Sequence, residues 1–196
     1  MKAGKILAAV ACAVVMGCAA VSAQDNKAVG TDFKSGISVS GLWHMDSIRS
    51  GGSVEIGFPL HTGNLVINDY ITLNGYGGRT ETGTSFGEMS VGNKFRLGGR
   101  CVLINNGSTV LIIIPYGFVN AEFGFVGIDN KNVFNSPFLT DIGGGGGFEM
   151  QFMESQSFFI EYGGGGIFPA GYDSEKYTEV LSSGYASLSV GYRTYF

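Results

Sequence analysis

An alternation of apolar and polar residues in steps of two constrains this chain more than any other feature, and it runs from about residue 37 to the C-terminus. In residues 53–58, for example, Val, Ile and Phe alternate with Ser, Glu and Gly. This period gives the two faces of a β-strand different polarity, whereas a helix would need apolar residues three and four positions apart. Beyond residue 23 there is no long apolar run. The pattern therefore predicts an all-β chain with no helix longer than one turn.

Composition narrows the class of protein further. Glycine makes up 33 of the 196 residues, and charged residues make up only 14%, against roughly 25% in an average soluble domain. A hydrophobic fraction of 44% is too high for a disordered chain, and four prolines are too few for a collagen-like one. The length suits a single domain. These proportions argue against an ordinary soluble enzyme.

The first 23 residues have the three parts of an export signal peptide. Lys2 and Lys5 form a basic start, residues 6–15 form an apolar segment too short to span a bilayer, and residues 21–23 give a small-x-small cleavage site. The mature chain would begin with a short segment, 24–34, and loss of both lysines would change the formal net charge from −4 to −6. Because the mature chain is acidic, no nucleic-acid partner is expected.

Cys18 supports a competing interpretation of the same segment. Val15-Met16-Gly17-Cys18 is similar to a lipobox, in which the cysteine is lipidated after cleavage. Cys12 also lies in this segment, so Cys101 would be the one cysteine left after cleavage at residue 23. No intramolecular disulfide is therefore expected.

Turn residues divide the remainder, 35–196, into eight strands. Short turns are predicted at 61–64, 105–108 and 154–157, the second of which carries the Asn-Gly hairpin signal. Longer polar links are predicted at 46–51, 78–85, 127–137 and 169–180. Both chain ends and all the short turns then lie on one side, and the longer loops lie on the other. This is the layout of an up-and-down barrel that crosses a membrane.

Charge density decides which face of the strands points outward. The polar face is mainly Ser, Gly and Tyr, whereas a soluble exterior usually carries ~25–35% charged residues. If the apolar face contacts lipid, the polar face becomes a lumen in which a few charges can pair. Closed strand pairing also satisfies every backbone group within hydrocarbon. We therefore predict an eight-stranded antiparallel transmembrane up-and-down β-barrel over residues 35–196.

Residues 65–77 fit the alternation least well. Asp69 falls on the apolar face, among Leu65, Ile67, Ile71 and Leu73. Either a β-bulge or a position near the membrane boundary would relieve this misfit, and the sequence favours neither.

The C-terminus carries the most specific resemblance to a known family. Leu188, Val190, Tyr192 and the final Phe196 place apolar residues at alternating positions up to a terminal aromatic, and only Thr194 interrupts the series. This resembles the assembly signal of bacterial outer-membrane β-barrels, and 35–196 resembles the small eight-stranded members, of the OmpX, OmpA barrel-domain and OmpW types. The resemblance implies a Gram-negative outer membrane as the location and its lipid and barrel-assembly machinery as partners. It implies no single activity, because one fold hosts many functions.

Charged residues on the predicted inner face form the first candidate site. A narrow eight-stranded barrel is filled by side chains, so these charges must pair or change their ionisation. One interpretation is a structural plug, and the alternative is a gate in which the acids exchange partners among the bases and open a small conductance. The candidates are Glu55, Glu88, Lys94, Arg96, Glu122, Glu149, Glu161 and Arg193.

Two glycine runs form the second candidate site. A hairpin centred near Ser155 would pair Gly147 with Gly163 and Gly144 with Gly166. The runs either allow curvature and leave room for large lumen side chains such as Tyr185 or Arg96, or they form a thin wall patch against which a lipid tail or a partner packs. The residues concerned are Gly143, Gly144, Gly145, Gly146, Gly147, Gly163, Gly164, Gly165 and Gly166.

Histidine offers the only candidate for catalysis. His44 and His61 are predicted at opposite rims, so they cannot share a metal, and no metal or cofactor is expected. Outer-membrane acyl-transfer enzymes combine a histidine with a serine and a carboxylate, and His44 with Asp46 and Ser47 is the only such set. It has no spacing signature, so we predict that the protein is not an enzyme.

Gly41-Leu42-Trp43 supports a rival class, because it is similar to the Gly-x-Trp of lipocalins on a first barrel strand. Asn68-Asp69-Tyr70 loosely resembles the second lipocalin motif. This rival is a soluble or lipid-anchored barrel that binds a small apolar ligand in its interior. The structural interpretation of Trp43 is an interfacial residue in an aromatic belt.

The sequence thus predicts an exported outer-membrane barrel with a polar, mostly closed lumen. Its expected role is structural, or surface interaction with an extracellular partner through the outer loops, above all 127–137 and 169–180. A narrow pore or a transporter of small, including hydrophobic, molecules is the alternative within the same fold.

Overall fold

The computed structural model describes residues 34–44, 49–61, 64–79, 85–106, 110–128, 138–152, 155–170 and 184–196. All the regular structure in these residues is β-strand. The strands are β1 (Gly36–His44), β2 (Arg49–His61), β3 (Leu65–Arg79), β4 (Ser85–Gly99), β5 (Cys101–Asn105), β6 (Val110–Ile128), β7 (Phe138–Phe152), β8 (Gln156–Ala170) and β9 (Tyr185–Tyr195).

The strands close into a single antiparallel ring. Each long strand pairs with its sequence neighbours, β4 pairs with β6, and β1 pairs with both β2 and β9. β5 follows β4 after a break at Arg100 and extends the same side of the ring along the start of β6. The barrel therefore has eight sides, which confirms the predicted eight-stranded antiparallel up-and-down β-barrel.

The two ends of the barrel differ in their connections. Gly36 near the start of the described chain pairs with Tyr195 next to its end, and the short turns after β2, β5 and β7 lie at this end. We call it the terminal end. The connections after β1, β3, β6 and β8 lie at the opposite end, which we call the loop end, and the two longest, 129–137 and 171–184, are among them.

The alternation in the sequence becomes the difference between the two sides of the wall, because successive Cβ atoms of a strand point to opposite faces. Outward residues form a continuous apolar exterior, with Val39 54%, Leu73 52% and Val91 53% exposed. Trp43 and Phe123 add large outward aromatic rings toward the loop end. Inward residues are mostly polar and buried.

Two apolar clusters occupy the lumen, one at each end. The loop-end cluster is Phe86, Val126, Leu139 and Ile167, with Tyr185 packed against it. The terminal-end cluster is Val66, Ile112, Ile114 and Tyr116, with Val110 and Phe118 packed against it. The polar interior thus lies between two apolar ends.

Several predicted boundaries were wrong by a few residues, because the strands continue past the turn residues. β2 begins at Arg49, within the link predicted at 46–51, and β3 continues to Arg79. β6 ends at Ile128 and β8 at Ala170, each inside a predicted link. Each of these strand ends is held by antiparallel pairing, on both sides at Arg49 and on one side only at Arg79, Ile128 and Ala170.

The misfit at Asp69 is not relieved by a bulge at that residue. β3 pairs with β4 without a break, Asp69 opposite Phe95, and the irregularity in this region lies in β2 between Pro59 and His61. Asp69 remains on the outward face, where its Oδ1 accepts a hydrogen bond of 2.6 Å from Asn93 Nδ2. The sequence predicted this outward position but missed the amide that accompanies it.

Some sequence predictions fall outside the described residues. They are the signal peptide and Cys18 in residues 1–33, Asp46 and Ser47 beside His44, and most of the links at 127–137 and 169–180. These remain predictions from sequence.

Candidate functional site: the lumen of the barrel

The structure turns all eight predicted lumen charges inward and buries them. Their exposure ranges from 0% at Arg96, Glu149 and Arg193 to 8% at Lys94. Two further charges that the sequence analysis did not include, Arg49 and Asp141, are buried with them. Arg49 lies in the predicted link at 46–51. It is separated from Ser53 and Glu55 by an even number of positions, so its side chain points to the same side of β2.

Glu149 on β7 is the centre of the ion network nearest the terminal end. Its Oε2 accepts a hydrogen bond of 2.6 Å from Arg193 Nη1 and another from Arg96 Nη1. The second oxygen, Oε1, accepts the hydroxyl of Tyr195. One carboxylate therefore neutralises part of the charge of two guanidinium groups from different strands.

Glu55 and Lys94 extend this network toward the middle of the barrel. Arg193 Nη2 donates to Glu55 Oε2 at 2.9 Å, and Lys94 Nζ donates to Glu55 Oε1. Lys94 Nζ also donates to Glu161 Oε2 at 2.9 Å, and Tyr116 donates its hydroxyl to the other oxygen of Glu161, again at 2.9 Å. Side chains from opposite walls are thereby joined across the lumen.

We call Glu55, Lys94, Arg96, Glu149, Glu161 and Arg193 the central ion network. It contains three carboxylates and three cations, so it is electrically balanced. Aromatic rings cover the cations: Arg96 lies 4.3 Å from the Tyr116 ring centroid, and Arg193 lies 4.6 Å from both Tyr70 and Phe159. Such contacts stabilise desolvated guanidinium groups that make few hydrogen bonds. Arg96 Nε and Nη2 have no hydrogen-bond partner among the described residues.

Glycines opposite these rings make room for them. Gly57 pairs with Tyr70, and a Cβ at Gly57 would lie 2.3 Å from Tyr70 Cε1. Gly191 pairs with Phe159, and a Cβ there would lie 2.3 Å from the Phe159 ring. Each ring thus lies over a strand that has no side chain at that point, a packing that helps fix strand register.

The two glycine runs lie side by side on β7 and β8, but in a register that differs from the prediction. Gly145 pairs with Gly163 and Gly144 with Gly164, so Gly147 pairs with Glu161 instead. The predicted pairs, Gly147 with Gly163 and Gly144 with Gly166, were wrong by two residues. The hairpin is centred one residue earlier than assumed, and such an error displaces every pair by two.

Inward glycines of these runs make room for aromatic side chains of neighbouring strands. A Cβ at Gly163 would lie 3.0 Å from Phe118 Cζ, and one at Gly165 would lie 2.8 Å from the Tyr185 hydroxyl. Tyr185 therefore occupies this space as expected, whereas Arg96 does not. The outward glycines Gly144 and Gly164 leave the lipid side of this wall without side chains.

Arg49, Glu88, His44 and two tyrosines form a second polar group, close to the loop end. Arg49 Nη2 donates to Glu88 Oε1 at 2.5 Å, and the Arg49 guanidinium lies 4.2 Å from the Tyr76 ring centroid. The buried His44 ring packs between Tyr76 and Tyr185, at centroid distances of 5.1 and 4.3 Å. His44 thus lies in an aromatic group.

Glu122 and Asp141 are the two remaining buried carboxylates, and they pair directly across β6 and β7. Glu122 accepts hydrogen bonds from Ser90 Oγ at 2.8 Å and from Asn120 Nδ2 at 3.2 Å. Asp141 Oδ1 accepts the Tyr185 hydroxyl at 2.6 Å. Within the described part of the chain neither carboxylate forms an ion pair.

A polar chamber of about 40 Å3 adjoins the central ion network, because Lys94 and Glu161 of that network line it. Glu122, Asn120, Thr72, Ser189 and Tyr185 are among its lining residues. At ~10–15 Å3 for each water, it has room for about three water molecules.

The Nδ1 atom of His44 has no hydrogen-bond partner among the described residues, and Asp46 and Ser47, the other two members of the candidate catalytic set, lie outside those residues. His61 is placed at the terminal end of β2, whereas His44 ends β1 at the loop end. Among the described residues no group of three or more His, Cys, Asp or Glu side chains could hold a metal ion. Nor does the described part of the chain contain a helix long and apolar enough to cross a bilayer.

The polarity of its two surfaces defines the class of this protein. An apolar exterior, a polar packed interior and closed strand pairing together make it a transmembrane β-barrel. Trp43 fits this class, because its ring lies outside the barrel and 48% exposed, as in an aromatic belt, and not within a ligand cavity.

Comparison with known proteins adds fold neighbours but no family. No protein-family model matches the chain, and no curated protein matches it in sequence. Solved structures similar to it include the N-terminal β-barrel domain of Pseudomonas aeruginosa OprF, at 14% identity over 85% of this chain and 100% of that one, with a TM-score of 0.45. A major outer membrane protein of Thermus thermophilus is 11% identical over 84% of this chain and 100% of that one, with a TM-score of 0.47.

PagL, described as an outer membrane enzyme, is also similar, at 14% identity over 81% of this chain and 97% of that one, with a TM-score of 0.41. Identities this low carry no information about individual residues. The role of the chain is therefore inferred from its own side chains.

Proposed function

We propose that this protein is an integral outer-membrane barrel whose lumen is closed and whose role is structural, or surface interaction through the loops of the loop end. The observation that carries the proposal is the central ion network. Its three carboxylates and three cations are each at least nine-tenths buried and are bonded to one another across the full width of the lumen. A continuous water path would have to break this network.

The energetics of buried ion pairs favour a plug over a gate. Removing one member of a buried pair typically costs about 3–5 kcal/mol, because the other charge remains buried and unpaired. Arg193 contacts both Glu149 and Glu55, so its movement would disrupt two pairs at once. The apolar clusters at both ends add further closure. A narrow pore is the second candidate, supported by the polar chamber and its acidic lining.

An apolar ligand in the interior fits the lumen poorly. The chamber is small, and charged and polar groups such as Glu122, Lys94 and Thr72 line it together with Leu42 and Phe118. The apolar surface is instead on the outside, where a soluble barrel would be exposed to water. A soluble or lipid-anchored ligand-binding barrel is therefore disfavoured.

No catalytic role is part of the proposal. His44 is packed between two tyrosines, and its Nδ1 has no hydrogen-bond partner among the described residues. A general base would need a carboxylate or a nucleophile within hydrogen-bond reach. Leu188, Val190 and Tyr192 lie on the outward side of β9, and the exposed Phe196 follows its last residue, which is consistent with a role in assembly into the outer membrane.

Planar-bilayer recording of the refolded full chain tests the closed lumen. We expect no steady single-channel steps, because the central ion network blocks the path. Lys94→Gln and Glu88→Gln provide the decisive comparison, and Asp69→Asn, which changes a carboxylate on the exterior, is the control. Steady steps in the native protein that disappear in Lys94→Gln or Glu88→Gln, but persist in Asp69→Asn, would show that the lumen conducts.

A further inference from the structure

A hairpin formed by β5 and the first residues of β6 extends past the neighbouring strand β3 at the terminal end. The pairing of β4 with β6 ends at Gly98 opposite Tyr116, although β6 begins earlier, at Val110. β5 becomes the partner of these first β6 residues, up to Asn105 opposite Val110. We call β5 and residues 110–113 the terminal hairpin.

One edge of the terminal hairpin has no partner strand in the described residues. β3 begins at Leu65, opposite Gly99, and the next backbone hydrogen bond on this side runs from the Arg100 N–H to the Asn64 carbonyl oxygen at 2.8 Å. Residues 102–105 are paired with β6 alone. Because an unpaired strand edge presents a row of N–H and C=O groups, residues 102–105 offer a template for another strand.

The side chains along this edge are apolar and exposed on both faces. Val102, Leu103 and Ile104 are 44%, 59% and 43% exposed, although neighbouring side chains of a strand point to opposite faces. Natural sheet edges are usually protected by charged residues, prolines or bulges. β5 contains no charged residue and no proline, and the bulge between Val102 and Ile104 is its only protection. Its edge therefore favours pairing with another strand.

Position in the membrane disfavours lipid and a second copy as the occupant of this edge. Unpaired backbone groups are strongly unfavourable in hydrocarbon, so the edge lies outside it. Two copies in one membrane have the same orientation, because a rotation axis that relates them is normal to the membrane. Both β5 strands then run away from the membrane, so their edges cannot pair as antiparallel strands. A strand from a different chain has no such restriction.

We propose that the terminal hairpin binds an extended peptide segment of another protein, which adds as a strand to the free edge of β5. In this mode of recognition, backbone hydrogen bonds supply affinity and alternate side chains supply specificity. The segment is about four or five residues long, uncharged and rich in β-branched residues, because it lies beside Val102, Leu103 and Ile104. Its protein is located on the terminal-end side of the membrane. This interaction goes beyond the proposed function, which concerns the loop end and the closed lumen.

A synthetic peptide tests the proposal on the refolded full chain in a non-ionic detergent. The probe is fluorescein-labelled Lys-Thr-Val-Thr-Val-Thr-Lys, whose anisotropy reports binding, and empty micelles measure its adsorption to detergent. The matched control peptide carries N-methyl groups on all its Thr and Val amides, which keeps the side chains and removes the N–H donors. We expect saturable binding of the probe. The control should bind about tenfold more weakly or worse, because two or more ladder hydrogen bonds are lost.

Two variants of Leu103 decide whether the peptide binds at this edge. Leu103 lies in the bulge and has no paired residue on β6, and proline is tolerated at bulges. Leu103→Pro should therefore keep the hairpin, remove an N–H donor and place a ring beside the edge. It should lose most of the probe binding, whereas Leu103→Ala, which keeps the donor, should retain most of it. Heat-modifiable gel mobility verifies that each variant is folded.

Equal binding of the probe and its N-methylated control would show apolar adsorption and refute strand addition. So would unchanged binding to a folded Leu103→Pro protein, or no binding above that to empty micelles. A dimer of the unliganded protein that Leu103→Pro abolishes would assign the edge to a second copy and overturn the proposal. If Leu103→Pro does not fold, the comparison of the two peptides on the native protein decides the proposal. The conductance experiment is independent, since the result of either leaves the other intact.

Discussion

The two halves of the lumen differ in how their buried charges are compensated. Near the terminal end, Arg96, Arg193 and Glu149 are fully buried, and every charge has an opposite charge from the chain itself. Near the loop end, Glu122 and Asp141 have hydroxyl and amide partners but no cation among the described residues. A buried charge can thus be compensated by an opposite charge of the protein or only by uncharged hydrogen-bond donors. Only the first kind contributes to a plug.

The largest expected effect comes from Glu149→Gln in the terminal half. The substitution removes one negative charge and leaves two buried guanidinium groups, Arg96 and Arg193, short of a partner. We expect the free energy of unfolding to fall by about 3–5 kcal/mol. Urea unfolding of the refolded protein, followed by Trp43 fluorescence, measures the change.

Glu88→Gln is the matched control for this prediction, because Glu88 has a single cationic partner, Arg49, closer to the loop end. Its loss should be clearly smaller. Equal losses in the two variants would mean that the terminal half is no more tightly coupled than the loop half, and the contrast between them would fail.

The second prediction concerns the packing of aromatic rings over the terminal half. Gly57→Ala places a Cβ 2.3 Å from Tyr70 Cε1, and the ring is held between Arg193 and Arg96. Because overpacking of a filled core typically costs about 1–3 kcal/mol, we expect a loss of that size in the same urea experiment.

Gly75→Ala is the control on the neighbouring strand, since nothing lies within 4 Å of its Cβ position. We expect its free energy of unfolding to change by no more than about 0.5 kcal/mol. If both variants were equally destabilised, the cause would be a general intolerance of added side chains in the wall, and not the ring over Gly57.

The barrel and its faces could be predicted from sequence because a period of two links position directly to side-chain direction. The inward direction of Glu55 and Lys94 follows from the alternation of side-chain direction along a strand, counted from neighbouring residues. Their pairing could not be predicted, because the partners lie on strands that are distant in sequence. Lys94 on β4 meets Glu161 on β8, and only the closed barrel brings these strands across from each other.

The predicted strand register was wrong where the turn sequence contains no residue specific to one turn type. Residues 154–157 are Glu-Ser-Gln-Ser, without the Gly or Asn that fixes a two-residue turn. The glycine pairing was therefore displaced, as β7 and β8 show. Asp141 is separated from Glu149 by an even number of positions on the same strand, which indicates an inward side chain, but the predicted lumen charges do not include it. The adjacent carboxylates of Glu122 and Asp141 were therefore not predicted, because the position of Glu122 alone does not indicate a neighbour of the same charge.

Glu122→Gln is expected to have the smallest effect and the opposite sign. The substitution removes the repulsion from Asp141 and keeps an oxygen that accepts the Ser90 hydroxyl. Because directly opposed like charges on a sheet destabilise by roughly 0.2–1 kcal/mol, unfolding free energy should rise by up to about 1 kcal/mol. Glu161→Gln, which changes another carboxylate lining the same chamber, removes a partner of Lys94 and should lower it. Urea unfolding of both variants distinguishes them, since a loss in Glu122→Gln as large as that in Glu161→Gln would place an unrecognised cation beside Glu122 and remove the electrostatic difference between the two halves.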